Sequence, residues 1–87
     1  MAETFKDVRS YDLVAYLLCK GFVYIDPPII KRGQVVFTFK QTPELEENIR
    51  NYFKPDAVVN PLAFNLHLRA VNRLATAIRN ASLGGEE

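Results

Sequence analysis

Cys19 and His67 are the one cysteine and the one histidine of this sequence, and no other pair could act as thiol nucleophile and base. An attacking thiolate needs a polar, partly open setting. Cys19 instead ends the run Leu13-Val14-Ala15-Tyr16-Leu17-Leu18-Cys19, where a thiol behaves as a small buried hydrophobe. His67 stands beside Leu68 and one turn from Val71, the position of a boundary histidine satisfied by a backbone carbonyl or water. One Cys and one His fall short of a metal-ligand set. Glu44, Glu46 and Glu47 are too close in sequence to converge on a cation, because neighbouring helical positions diverge around the axis. They suit the positive end of a helix, and Glu46 lies at ion-pair spacing from Arg50. The glycines at 21, 33, 84 and 85 have no phosphate-loop spacing. These residues predict no catalytic group, no metal site and no cofactor.

The basic residues carry a different signal. From Asn60 to Ala81 there are three arginines and no acid. Arg69 and Arg73 are one turn apart, flanked by Asn65, Asn72, Thr76 and Asn80. Arginine and asparagine donate to phosphate oxygens and to base edges. Lys31 and Arg32, at the tip of a predicted hairpin, are placed to reach a second phosphate. Over the whole chain Lys and Arg number 11 against 10 Asp and Glu, so the surface would be local and the molecule no general polyanion binder.

Three helices and a hairpin must hold these side chains. At 87 residues there is room for one domain with one modest core. Hydrophobic residues make up 48% and charged residues 24%, the composition of a globular domain and not of a disordered chain. A single cysteine closes no internal disulfide, which argues against a stapled secreted scaffold. No apolar run approaches the roughly 20 residues of a membrane helix, and the first ten residues have no signal-peptide core. The expected location is therefore cytoplasmic, without a membrane partner.

The first helix is expected from Tyr11 to Lys20, capped by Ser10 and stopped by Gly21, with Phe22 folding back on Leu17. Being apolar almost all round, it should be buried. A hairpin is expected from Phe22–Ile25 and Val35–Lys40 around Lys31-Arg32-Gly33-Gln34, with Gly33 at positive φ. Pro27 and Pro28 would interrupt its first strand. Val35, Phe37 and Phe39 should face the core, and Val36, Thr38 and Lys40 the other side. Thr4–Val8 offers a short additional strand. A second helix starts at Thr42-Pro43, with Leu45, Ile49, Tyr52 and Phe53 as its apolar stripe, and stops at Lys54-Pro55. Asp56–Val59 is read as an extended connection. Asn60-Pro61 opens the third helix, whose stripe Phe64, Leu68, Val71, Ala75 and Ile78 points inward. The expected architecture is α+β: an antiparallel hairpin, with a short N-terminal strand, packed on three helices in the order β-α-β-β-α-α. Residues 1–81 form the domain, and 82–87 a flexible tail.

The stretch Ser10 to Phe22, with Val35-Val36-Phe37-Thr38-Phe39, Glu44-Leu45 and Val59-Asn60-Pro61-Leu62-Ala63-Phe64, resembles a family of small uncharacterised bacterial and phage-associated domains. The likeness runs from about Ser10 to Ile78, and its motifs are mostly structural: a helix stop, core positions and a cap. Asp26-Pro27-Pro28 is an insertion relative to that pattern and bears on the hairpin register. The resemblance implies no activity. Its setting in phage and mobile-element genomes implies nucleic-acid transactions or phage–host interference.

The sequence thus points to a non-catalytic interaction module that contacts DNA or RNA through Arg69, Arg73, Lys31, Arg32, Asn65 and Asn72. The other reading is an adaptor or inhibitor of a host or phage protein, acting through an open strand edge or an apolar helix flank. Leu62, Leu66 and Leu74, with Ala70 and Ala77, supply that flank. Ten aromatic residues and so much apolar surface in a short chain favour a homo-oligomer.

Overall fold

A computed structural model describes residues 4–54 and 58–84. The elements are β1 (Phe5–Val8), α1 (Tyr11–Cys19), β2 (Ile29–Lys31), β3 (Gln34–Lys40), α2 (Pro43–Tyr52) and α3 (Pro61–Gly84). The fold is α+β, with the expected β-α-β-β-α-α order. β3 is the middle strand of an antiparallel sheet ordered β1-β3-β2. β1 pairs with its C-terminal half, Val8 opposite Phe37, and β2 with its N-terminal half, Ile29 opposite Val36.

The hairpin differs from the sequence expectation in its first strand. Ile29–Lys31 pairs with β3, and Phe22–Ile25 is not a strand. The turn decides this. Arg32 and Gly33 both have positive φ, 53° and 80°, which is the backbone of a two-residue hairpin turn. Such a turn returns the chain at once, so the residues just before it become the strand. Pro27 and Pro28 precede that strand instead of interrupting it. Phe22–Ile25 runs on beside β3, held by one bond from the Ile25 amide to the Thr38 carbonyl, 3.0 Å.

The sheet's inner face and the helices form the core. Val8, Val35, Phe37 and Phe39 meet Leu13, Val14, Tyr16, Leu17, Leu45, Val71 and Ala75, all buried. In α1 five consecutive residues, Leu13 to Leu17, are buried, as its all-round apolar character requires. This helix packs against α3, α2 and β1. The Ser10 hydroxyl accepts from the Leu13 amide at 3.3 Å. At its other end Gly21 has φ 95°, its amide donates to Leu18, and the Phe22 amide to Leu17. Those two bonds close the helix in the Schellman pattern. Tyr24 and Tyr11 set their rings edge-on to Phe37, with centroids at 5.2 and 6.3 Å.

Val36 faces the outer side of the sheet, as expected, and is fully buried there. Two further expectations are corrected. Phe53 forms the C-cap of α2 and is 72% exposed, so the apolar stripe of α2 ends at Tyr52, against Tyr16. Glu46 accepts from the Gln41 amide group at 2.6 Å and forms no pair with Arg50. α3 continues through Ser82 to Gly84, the first half of the expected tail. Pro55, and Asp56 and Ala57 of the expected 56–59 connection, lie outside the described residues.

Candidate functional site

α3 carries most of the candidate residues, and local chemistry fixes where it begins. The Asn60 side chain accepts from the amides of Leu62 and Ala63, at 2.9 and 3.1 Å. Pro61 has no amide to leave unsatisfied in that first turn. Just before it, the Val58 carbonyl accepts from Lys20 Nζ at 3.0 Å. The same ammonium stands 5.4 Å from the centre of the Tyr16 ring, so the end of α1 grips the entry to α3. Phe64, Val71, Leu74, Ala75 and Ile78 then hold α3 on the core.

This anchoring turns Asn65, Arg69, Asn72, Arg73, Thr76 and Asn80 outward, and every one of them is exposed. Among the described residues neither Arg69 nor Arg73 has a carboxylate partner. Among the described residues no acceptor takes up the donors of either guanidinium group, five on each. Asn72, Arg73, Thr76, Ala77 and Asn80 line a shallow depression of about 400 Å³. The expected Arg/Asn surface on α3 is therefore one continuous face.

Lys31 and Arg32 do not extend it as one patch. Strand alternation puts Asp7, Lys31, Val36 and Thr38 on the outer side of the sheet, away from the helices. There Lys31 Nζ lies 2.9 Å from Asp7 Oδ2, and the Thr38 hydroxyl donates to the other carboxylate oxygen at 3.1 Å. Lys31 is thus neutralised on the far side of the sheet from α3. Arg32 stays exposed at the turn.

The apolar flank divides as well. Leu62 and Leu66, one turn apart, are 76% and 67% exposed beside the arginines. Leu74 instead packs against the core, so it is not part of an exposed flank. Its place on the helix, about 100° round from Arg73 and about 140° from Arg69, already leans inward.

Cys19 is half-buried, and desolvation pushes its thiol above its ordinary pKa, with Lys20 opposing. That is the reverse of an activated nucleophile. Among the described residues no group of three or more His, Cys, Asp or Glu side chains could hold a metal ion. No described helix is long and apolar enough to cross a membrane.

Fold and surface together define a small α+β domain, three strands against three helices, that presents one long basic helix to solvent. Residues 3–77 match the family described as Domain of unknown function (DUF5659), and the chain belongs to that family. No curated protein and no solved structure gives a match.

Proposed function

We propose that this domain is a non-catalytic interaction module that contacts nucleic acid through the outer face of α3. The observation that carries the reading is the acid-free stretch from Asn60 to Ala81, with Arg69 and Arg73 exposed and unpaired among the described residues. The arginines would sit on phosphates, and Asn65 and Asn72 would add hydrogen bonds to sugars or base edges. Arg32 is a secondary contact at most, and Lys31 contributes only by giving up Asp7. We take the domain to act in the cytoplasm and to be of phage or mobile-element origin, the setting of the domains its sequence resembles.

A gel-shift titration on mixed-sequence DNA and RNA tests this. Binding should appear at low salt, weaken as salt rises, and disappear in Arg69→Glu/Arg73→Glu with the circular dichroism spectrum unchanged. If neither polymer shifts at low salt, the proposal fails. A second reading, a protein-binding or homodimeric role, is favoured by the exposure of Leu62 and Leu66. Light scattering of the chain and of Leu62→Asp/Leu66→Asp separates that reading, because only a helix-flank dimer would fall to monomer.

A further inference from the structure

Resting on the reading of α3 as a nucleic-acid surface, we propose that its substrate is duplex DNA, with α3 itself lying in the major groove. The first reason is how far α3 stands out of the body. At 100° per residue, the exposed positions from Arg79 round to Ala70 fill about 180° of the helix circumference. From position 61 to 81, where burial is described, no half-buried residue interrupts that arc. An α-helix with its side chains is about 10–12 Å across, and the major groove of B-form DNA is about 12 Å wide. A helix sunk in the body by only half its girth has room to enter. The exposed polar positions run from Asn65 to Asn80, a rise of about 22 Å.

The second reason is the set of side chains on the arc. Arg69, Arg73, Asn65, Asn72 and Asn80 are the two residue types that form bidentate pairs with guanine and adenine in that groove. Ala70 and Ala77 lie beside them, small enough to meet thymine methyl groups. No aspartate or glutamate in the helix opposes the phosphates.

The same arc disfavours the other nucleic acids. Single strands are held by stacking bases on aromatic side chains, and no aromatic residue lies on it. Phe64, the aromatic residue of α3, packs on the core side. In A-form RNA the major groove is too deep and narrow for a helix.

Fluorescence anisotropy with the full chain decides the matter, using a 20-base-pair DNA duplex, the same sequence as duplex RNA, and one DNA strand alone. From 20 to 200 mM NaCl, duplex DNA should bind roughly tenfold tighter than either alternative, with a log–log salt slope of roughly −2 to −3 for two or three arginine–phosphate contacts. Arg69→Ala and Arg73→Ala, whichever of them meets phosphate, should flatten that slope by about 1 each. A duplex carrying 7-deazaguanine and 7-deazaadenine, which removes the N7 acceptors of the major groove, should bind roughly 5- to 100-fold more weakly. Equal or tighter binding of RNA or of the single strand would overturn the duplex-DNA proposal and leave the nucleic-acid reading standing. So would indifference to the 7-deaza bases. Absence of binding to all three polymers at 20 mM salt overturns both.

Discussion

Lys31 and Asp7 come from two strands that do not pair with each other, since β3 lies between them. Their 2.9 Å contact therefore reaches across the sheet, and Val36 lies fully buried between the strands they come from. The Lys31 hydrogen bond is the largest influence on Asp7 and holds its carboxyl below the usual 3.8, against partial desolvation, with help from the Thr38 hydroxyl. A carboxylate with a lowered folded pKa adds stability above its unfolded pKa and loses it as pH falls through the folded value. At pH 7 Asp7→Asn should thus cost about 0.2–1 kcal/mol, the range of solvent-exposed pairs. The gap to the parent chain should close in acid, as pH falls below the usual 3.8 and through the lowered folded value. Urea denaturation at neutral pH and in acid checks this, and an unchanged gap would refute it. At this scale the sequence revealed residues whose partners are local. Ser10, Thr42 and Asn60 each cap a helix a few residues away, as their spacing announces. Lys31 was legible only as a hairpin-tip cation, because its partner lies 24 positions back in a strand whose pairing no local pattern specifies.

The β2–β3 turn is the element where local propensity misled. Phe22–Ile25 has more β-forming residues than Ile29–Lys31, yet the turn at Arg32-Gly33 fixes the register. Two left-handed residues in a row are easiest for Asn-Gly. Arg32→Asn should therefore raise stability by roughly 0.5 kcal/mol, since asparagine tolerates that backbone better. A Cβ at Gly33 would meet nothing within 4 Å, so Gly33→Ala carries only the backbone cost of about 1–2 kcal/mol. Thermal melts of the two variants should move in opposite directions. α3 was easier to read, because a 3.6-residue period sorts inward from outward positions without knowledge of the partner. That is why the exposure of Arg69 and Arg73 was legible, while Phe53, at a helix end where the period stops, was misassigned.

For the whole molecule the ordinary stability scale gives roughly 4–13 kcal/mol for a chain of this length. Phe37 is fully buried at the centre of the middle strand and touches two tyrosine rings. Phe37→Ala should remove about 3–5 kcal/mol, enough to leave much of the protein unfolded at 37 °C. A variant that kept its melting temperature would show that the core is organised elsewhere. Layering was legible because the alternation of β3 and the all-round apolar α1 both demand cover. The burial of Val36 was not, since strand alternation alone places it on the face away from Phe37 and Phe39.

The order in which the chain is made has a consequence for its birth. β1 is made before the other described elements, but its partner β3 follows only after α1 and β2. α1 is packed against α3, which follows the other five elements in the chain. A nascent chain halted before Pro61 would present a helix greasy on the side α3 should cover, with nothing of its own to shield it. The domain therefore completes its fold only once α3 has been made, and until then α1 is a natural landing place for a chaperone.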